Sequence, residues 1–221
     1  MIPPEQSANF VAKMEDVLSV YKRPRDPNRP VVCTGEMPRQ LIREVRTPLP
    51  MEAGKPKRHD CHYKREGVVN LPVFFEPLVG WRTVMTRERR TKVDWAPFLR
   101  RLLDRHYPDA KKVILVMDNL CAYALSSFYE AFAPEKACRL AQRLEIHYTP
   151  EHGSWPNMAE IENSAMARQC LSRRIPEKQV MEEETSAWSK QRNEEGAAAN
   201  WRFQAEDARI KLRRLYPNID G

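Results

Sequence analysis

Apolar residues recur along the first part of this chain with helical and then with strand-like spacing. Between Asn9 and Tyr21 they stand three or four positions apart, which predicts a helix of about three turns. Residues 22–30 contain three prolines and predict a loop. Val31 to Cys33 then predicts a short buried strand, and Pro38 is expected to prevent much continuation because proline has no backbone N–H for a sheet.

Two further strand patterns follow and suggest a hairpin. Gly67 to Phe75 predicts a strand that Pro72 interrupts, and Gly80 to Arg87 predicts a strand able to pair with it. The most strand-like run is Val113 to Met117, five consecutive apolar residues that end at Asp118. Such a run is typical of a strand covered on both faces. The same rules predict helices over 94–107, 126–132, 157–172, 176–193 and 204–215, and a strand over 144–148.

The order of these elements predicts an α/β fold with a mixed sheet. Antiparallel strands come first, and parallel strands joined by helices come later. This order is compatible with a ribonuclease-H-like core flanked by helices, although other α/β folds share it. We divide the chain into a helical arm and linker over 1–30, the α/β domain over 31–196 and a basic C-terminal helix over 197–221.

Composition excludes several classes of protein. With 42% apolar and 9% aromatic residues in 221, the chain can bury a core and is not globally disordered. No apolar run approaches the roughly 18–20 residues of a membrane span, and the N-terminus lacks a signal-peptide pattern. The five cysteines are scattered without a C-x-x-C pair. We therefore expect a reducing cytoplasm, without a disulfide framework or a zinc knuckle.

The net charge of +7 comes from clusters of basic residues. Such clusters suit contacts with the phosphates of a polyanion. They equally suit solvated faces on which lysine and arginine pair with glutamate, and charge alone leaves both interpretations open. The clusters are Lys55, Lys57 and Arg58; Arg87, Arg89, Arg90 and Lys92; Arg100 and Arg101; Arg173 and Arg174; and Arg209, Lys211, Arg213 and Arg214.

Two carboxylates stand where chemistry is expected. Asp118 follows the apolar strand, and functional side chains of open α/β sheets gather at such strand ends, although a cap or turn residue fits equally. Glu160 lies near the start of a predicted helix, where the helix dipole alone also favours glutamate. Glu162, two positions on, faces another side of that helix and cannot form a side-by-side pair with Glu160.

Carboxylates from separate elements are the ligands that Mg²⁺ or Mn²⁺ prefers. Two such ions can activate a water or a sugar hydroxyl and stabilise the leaving oxygen of a phosphodiester. The histidines offer no competing site, because Cys61, between His59 and His62, has no second thiolate at zinc spacing. Glycine-rich phosphate loops and the G-x-S-x-G motif are absent from the sequence.

Residues 31–38, 113–120 and 147–162 together resemble one known family, the DDE endonucleases of the bacterial insertion-sequence transposases in the mariner-like superfamily. Val113 to Leu120 resembles the strand that carries their second aspartate, and Val31 to Pro38 resembles their first strand. His147 to Glu162 resembles their third-carboxylate motif, with Ser154 to Glu162 as its most specific part. The resemblance covers nearly the whole chain.

This resemblance implies a ribonuclease-H-like catalytic domain over 31–196 that cuts DNA at transposon ends and joins the freed 3′ hydroxyl to a target. The family holds Mg²⁺ or Mn²⁺ with two aspartates and a final glutamate or aspartate. By position, Asp118 matches the second aspartate and Glu160 the final glutamate. The implied partner is DNA, both transposon ends and target. A homodimer is expected by analogy because two ends are paired, and the implied location is the bacterial cytoplasm at the nucleoid.

The sequence departs from the family at the first aspartate. Gly35-Glu36 stands where the family has Asp-Glu. Glu36 is the candidate substitute for the first catalytic carboxylate, but successive strand side chains point to opposite faces. Only a bulge or turn at Gly35 would turn it toward Asp118.

Other departures also point to reduced activity. Cys121-Ala122-Tyr123 replaces Asn-Thr-His, and Pro156 replaces a leucine. Only the helix at 9–21 precedes the first strand, where the family carries helix-turn-helix modules, so we do not expect this chain alone to recognise transposon ends. We expect an impaired nuclease with weakened metal binding. The alternatives are a non-catalytic DNA-binding or regulatory remnant and a product without function.

Overall fold

The apolar run Val113–Met117 forms a strand that is buried along its whole length. It belongs to a computed structural model that describes residues 6–56, 58, 60–89, 91–118, 125–151 and 153–218. Within these residues one sheet has five strands: β1 (Val31–Glu44), β2 (Tyr63–Glu76), β3 (Trp81–Val84), β4 (Val113–Met117) and β5 (Leu144–Tyr148). The strand order is β3-β2-β1-β4-β5.

The sheet has the mixed pairing that the order of elements predicts. β2 is antiparallel to β1 and β3, whereas β4 is parallel to β1 and β5. The predicted β2–β3 hairpin and the predicted cover on both faces of β4 are confirmed. β4 lies between two parallel neighbours, so its C-terminal end lies at the same edge as that of β5 and beside Thr34 in the first part of β1.

The predicted short first strand is wrong, because β1 continues through Pro38 to Glu44. Pro38 pairs with Asn70 of β2, and Asn70 exchanges its own backbone hydrogen bonds with Arg87 on its other side. Pro38 therefore occupies a non-hydrogen-bonded pair, and its nitrogen points away from β2. Among the described residues β4 pairs with β1 only as far as Thr34, so no described strand needs an N–H from Pro38 on that side.

β2 passes through Pro72 in the same way, so the predicted interruption is also wrong. Pro72 lies opposite Glu36, and its carbonyl accepts a hydrogen bond from Met85 N on the β3 side. Pro72 and Glu36 therefore make no backbone hydrogen bonds to each other. The missing N–H of Pro72 thus removes no hydrogen bond between β2 and β1.

Helices cover both faces of the sheet. Trp95, Phe98 and Phe128 pack on one face with Val32 and the odd-numbered residues of β4. The opposite face packs through two clusters, one around Val17, Ile114 and Met158 and one around Leu71 and Trp188. The helices are α1 (Ala8–Tyr21), α2 (Lys92–Arg101), α3 (Ser126–Ala131), α4 (Pro134–Gln142), α5 (Ala159–Gln169), α6 (Lys178–Glu194) and α7 (Ala205–Lys211).

Most helix predictions are confirmed, and one helix was missed. α2 continues as a π-helical turn over Leu102–His106, and a 3₁₀ turn over Arg213–Leu215 follows α7. The helix without a prediction is α4, which begins at Pro134 and buries Ala137 and Leu140. Proline at a first helical position is favourable because its missing N–H has no helical partner there, so the signal was present in the sequence.

The two ends of the described chain pack against each other. Phe10, Met14 and Leu18 of α1 form a buried cluster with Ala208 of α7 and with Leu215. The domain boundaries at 31 and 196 remain predictions. The helices outside them, α1 and α7, pack together in this cluster. Among the described residues, no helix combines the length and apolar content that crossing a membrane requires.

Candidate active site

Asp118 follows β4 directly, and its carboxylate is held from two directions. Val113, Leu115 and Met117 face the α2–α4 side, so Asp118 continues the opposite set of β4 residues. Its Oδ1 atom accepts a hydrogen bond of 3.1 Å from Thr149 Oγ1 and another of 3.1 Å from Asn157 Nδ2. Because Oδ1 accepts both hydrogen bonds, the carboxylate is held in one orientation, and the direction in which Oδ2 points is fixed.

Asn157 connects the site to three segments of the chain. Its side chain is fully buried, and besides Asp118 its Nδ2 donates to the Thr34 carbonyl of β1 at 2.9 Å. Its Oδ1 accepts from the Ala159 N–H at the start of α5 at 3.0 Å. The sequence marked Asn157 as part of a family-like motif but did not assign it this role.

Glu160 lies in the first turn of α5 and is half-buried. Burial raises the pKa of Glu160, the negative charge of Asp118 raises it further, and the Asn163 side chain lowers it. Asp118 follows Met117, which pairs with Thr34 of β1, and Asn157 bonds both Asp118 and the Ala159 N–H at the start of α5, so the two carboxylates lie at the same end of β4. The structure thus brings together Asp118 and Glu160, which the sequence had marked separately.

Gly35 of β1 faces the same site. A Cβ atom at Gly35 would lie 3.3 Å from Oε1 of Glu160, 3.1 Å from Cβ of Ala159 and 3.2 Å from Nδ2 of Asn163. A side chain at position 35 would therefore point at Glu160. Position 35, where the family resemblance predicts an aspartate, is thus a position from which a side chain would reach Glu160.

Glu36 remains in the regular strand. The β1–β2 register runs without interruption from Cys33 to Leu41, and its only shift lies between Leu41 and Ile42. There is no bulge at Gly35, so the Glu36 side chain leaves the sheet on the face opposite to Gly35. Among the described residues, no set of three carboxylate, thiol or imidazole groups that includes Asp118 and Glu160 has ligand atoms all within 4.8 Å of one another.

Glu162 faces away from Glu160, as predicted, and anchors α5 to the sheet. Its Oε2 lies 2.8 Å from Nε of Arg82 in β3, and its Oε1 accepts from Arg192 of α6 at 3.1 Å. The side chains of Arg82 and Glu162 are 0% and 2% exposed. Because buried charges must be paired, this ion pair fixes how α5 sits on the sheet and hence where Glu160 points.

A buried contact from α1 also reaches the start of α5. The Tyr21 hydroxyl lies 3.4 Å from Sγ of Cys33 and accepts a hydrogen bond from the Met158 N–H. Burial raises the pKa of the Cys33 thiol to about 12, although the contacts with Tyr21 and the Met158 N–H lower it. Cys33 is thus a neutral core residue at neutral pH and not a nucleophile.

Several residues of the basic clusters form ion pairs with carboxylates of this chain. This agrees with the interpretation of these clusters as solvated faces on which lysine and arginine pair with glutamate. By contrast, Arg213 and Arg214 are exposed and have no ion pair within the described ranges. Lys57 and Arg90 lie outside those ranges. The paired residues are Lys55 with Glu52, Arg173 with Glu184, Arg174 with Glu44 and Arg209 with Glu15.

A separate group at the surface does not form a convincing metal site. Ligand atoms of Asp60, Cys61 and His62 lie within 4.8 Å of one another, but Cys61 and His62 are exposed. The Asp60 carboxylate already accepts from the His62 N–H and lies 3.4 Å from Nε of Arg46. His59, like Cys121-Ala122-Tyr123, lies outside the described residues.

Comparison with known proteins identifies the family. Residues 30–182 match the family model described as DDE superfamily endonuclease. No curated protein gives a significant sequence match. This matched range contains Gly35, Asp118 and Glu160.

The fold is similar to crystal structures of the mariner Mos1 complexes. The paired end complex with Mg matches with a TM-score of 0.57 and 17% identity, covering 99% of this chain and 66% of that one. The paired end complex with Mn gives a TM-score of 0.50, 17% identity and coverage of 89% and 61%. The Strand Transfer Complex gives 0.50, 15% identity and coverage of 89% and 60%.

At these identities the similarity concerns the fold, and it confirms the predicted ribonuclease-H-like α/β class. The chain spans between 60% and 66% of the length of those Mos1 chains. Because the family match covers more than half of the sequence, the conclusion on family is direct. The chain belongs to the DDE superfamily of endonucleases.

Proposed function

We propose that this chain is a transposase-type domain for DNA strand cleavage and strand transfer, with Asp118 and Glu160 as ligands of Mg²⁺ or Mn²⁺. The observation that carries the proposal is the position of these two carboxylates, at the end of β4 and in the first turn of α5, on the side of the sheet that Gly35 faces. Two carboxylates whose charges repel each other suit a hard divalent cation, which removes the repulsion.

The site residues have distinct tasks in this proposal. A bound divalent ion would supply the positive charge that activates a hydroxyl and stabilises a leaving phosphodiester oxygen. Asp118 offers Oδ2, since Oδ1 is held by Thr149 and Asn157. Glu160 offers a half-buried carboxylate that is held in place by the packing of α5.

We further propose that the activity is impaired because Gly35 replaces the first metal-binding aspartate. Loss of interactions that only support a metal ligand costs about 10–100-fold in affinity or activity, and loss of a ligand should cost at least as much. Weakened binding of Mg²⁺ or Mn²⁺ follows. That Glu36 serves as a substitute ligand stays a prediction, and it requires β1 to change conformation at Gly35.

The proposed substrates are transposon ends and target DNA, and the proposed source is a bacterial insertion sequence acting at the nucleoid. The similar Mos1 structures are described as paired end and strand transfer complexes. Pairing of two ends suggests a homodimer. The exposed Arg213 and Arg214 are available for phosphate contacts.

The proposal is tested by strand cleavage of end-containing DNA with Mg²⁺ and with Mn²⁺. We expect cleavage that is weak or absent, and any residual cleavage should be lost in Asp118→Asn and in Glu160→Gln. Glu194→Gln, which removes an exposed carboxylate on α6, is the matched control and should behave like the parent protein. Metal-dependent cleavage that persists in both site variants would refute the assignment of the site.

A second candidate function is a non-catalytic DNA-binding or regulatory remnant of a transposase. The observation that favours it is Gly35, because the fold is kept while a side chain is missing at the site. Binding to duplex DNA that weakens with salt, without cleavage under any metal condition, would support this function over the enzymatic one. A protein that binds no DNA at low salt would exclude both.

A further inference from the structure

The loop that leads into α5, residues 153–158, is held by both ends of the described chain. It is neither helix nor strand, so its conformation depends on contacts with other segments. It ends two residues before Glu160, and a shift of the loop would therefore move that carboxylate. Asn157 bonds the loop to β1 and to Asp118. A second set of contacts comes from α1 and from residues 199–216, both outside the range that the family model matches.

Gly153, at the start of the loop, lies directly against α1. A Cβ atom at this position would lie 2.5 Å from Cε2 and 3.0 Å from Cζ of Phe10. Non-bonded carbon atoms prefer a separation of about 3.5–4.0 Å, so a side chain has no room here unless the ring of Phe10 moves. Phe10 is itself buried in a cluster with Met14 and Leu215. The start of the loop is therefore fixed by the position of α1.

The end of the loop is held by the hydroxyl group of Tyr21 in α1. The N–H of Met158, at the N-terminal cap of α5, donates a hydrogen bond of 3.3 Å to this hydroxyl. The first N–H groups of a helix have no helical partner and need one from elsewhere when they are buried. Asn157 supplies the partner for Ala159 from within the loop. For Met158, which is buried, the partner comes from α1.

Trp201 connects the middle of the loop to Tyr21. Its ring centroid lies 6.1 Å from that of Trp155 and 5.6 Å from that of Tyr21. Phe203 adds an edge-on contact with Trp155 at 5.6 Å. Aromatic rings at these separations attract each other in defined orientations. The indole nitrogens of Trp155 and Trp201 are buried and make no hydrogen bond with a described residue, so packing of the rings holds this contact together.

We propose that Tyr21 and Trp201 are positioning residues of the metal site. With Phe10 they hold the loop 153–158, and they thereby set where the carboxylate of Glu160 meets the ion. They act on the site only through the loop. This inference rests on the proposed function, because it takes Glu160 as a metal ligand. It gives α1 and the C-terminal segment, which lie outside the family match, a part in the active site.

The test compares the Mn²⁺ affinity of folded variants, measured from the electron paramagnetic resonance signal of the free ion during titration. Tyr21→Phe removes only the hydroxyl that holds Met158, and Trp201→Leu removes the ring between Tyr21 and Trp155. Loss of groups that orient metal ligands commonly costs about 10–100-fold in affinity, and we expect Mn²⁺ to bind about 10-fold more weakly to each variant. Trp201→Phe keeps an aromatic ring at this place and should retain most of the parent affinity.

Tyr107→Phe is the matched control for Tyr21→Phe. The hydroxyl of Tyr107 also makes a hydrogen bond, 2.6 Å to Oε2 of Glu76, but Tyr107 packs on the α2 face of the sheet, opposite to the site. Both variants lose one hydrogen bond and should melt below the parent protein in EDTA. Only Tyr21→Phe should also lose Mn²⁺ affinity, which separates the positioning of a ligand from a general loss of stability. An equal loss of affinity in Tyr107→Phe would overturn the inference.

Failure of this inference and failure of the proposed function give different results. Mn²⁺ binding that requires Asp118 and Glu160 but is unchanged in Tyr21→Phe and Trp201→Leu would refute the inference alone. Binding that survives Asp118→Asn and Glu160→Gln would place the ion elsewhere and refute the proposed metal site. A parent protein that binds no Mn²⁺ at millimolar concentration would refute both.

Discussion

Gly35 of β1 faces Glu160 of α5 so closely that a Cβ atom on the glycine would lie 3.3 Å from Oε1 of the glutamate. The glycine has extended strand backbone, which any residue can adopt, so space and charge rather than backbone strain decide what a side chain would do here. The closest neighbour is Cβ of Ala159, at 3.1 Å, which is fixed to the helix backbone and can move only with α5.

Gly35→Asp should make the stability of the protein depend on divalent ions. Its Cβ must displace α5 by a few tenths of an ångström, and crowding of this kind costs about 1–3 kcal/mol. Its charge adds repulsion against Glu160 and Asp118 in EDTA, which Mn²⁺ should remove. Gly35→Ala carries the same crowding without the charge. We expect a larger Mn²⁺-induced rise in melting temperature for the aspartate variant than for the alanine variant, and equal rises would contradict the geometry of the site.

Asn157→Ala should destabilise the protein more than Thr149→Val. The asparagine is fully buried and bonds Asp118, the Thr34 carbonyl and the Ala159 N–H, whereas Thr149 donates one bond to Asp118. From these bonds we expect a loss of about 2–3 kcal/mol for Asn157→Ala and about 1 kcal/mol for Thr149→Val in urea unfolding. The opposite order would show that Asn157 does not connect β1, β4 and α5 as described.

Glu162→Ala should cost about 3–5 kcal/mol because it leaves Arg82 charged and buried without its partner. Burial lowers the pKa of Arg82, and the charge of Glu162 raises it. The ion pair thus offsets the cost of burying the charge of Arg82. The double variant Arg82→Met with Glu162→Leu should recover much of the loss in urea unfolding. As a control, Glu194→Gln breaks only an exposed contact with Lys190 and should cost less than about 0.5 kcal/mol. A Glu162→Ala protein as stable as this control would refute the anchoring role.

Glu145 should make the folded state sensitive to acid. Partial burial raises the pKa of this carboxyl, but hydrogen bonds from Arg23, His147 and Arg29 outweigh it and lower the pKa to about 2. The folded state therefore binds this proton less readily than the unfolded chain, whose pKa lies near 4.5. The stabilisation is complete above pH 4.5 and is lost as the pH falls toward 2.

Glu145→Gln should consequently lower the free energy of unfolding by roughly 1–3 kcal/mol at pH 7. It should also flatten the dependence of that energy on pH between about 4.5 and 2, measured by urea unfolding at a series of pH values. Glu194→Gln again serves as the control that keeps the parent slope. An unchanged slope in Glu145→Gln would mean that the contacts with Arg23 and Arg29 do not form in solution.

Local pattern in the sequence determined the elements that carry the carboxylates. Five apolar residues ending at Asp118 and a helix beginning near Glu160 could be predicted because burial and backbone geometry act over a few neighbouring residues. The same local rules failed at Pro38, where the tolerance for proline depends on which side of β1 is open, a property of the assembled sheet.

Only the tertiary structure decided which of these residues meet and what supports them. Asn157 bonds a carbonyl 123 positions away at Thr34, and Arg82 pairs with Glu162 through a contact between β3 and α5. The closeness of Asn163 to Gly35 likewise arises where α5 crosses β1. Such contacts leave no periodic signal, because each depends on how distant segments pack. The sequence by itself therefore predicted most of the helices and strands and marked Asp118, Glu160 and Gly35 as candidates, and packing decided the geometry around them.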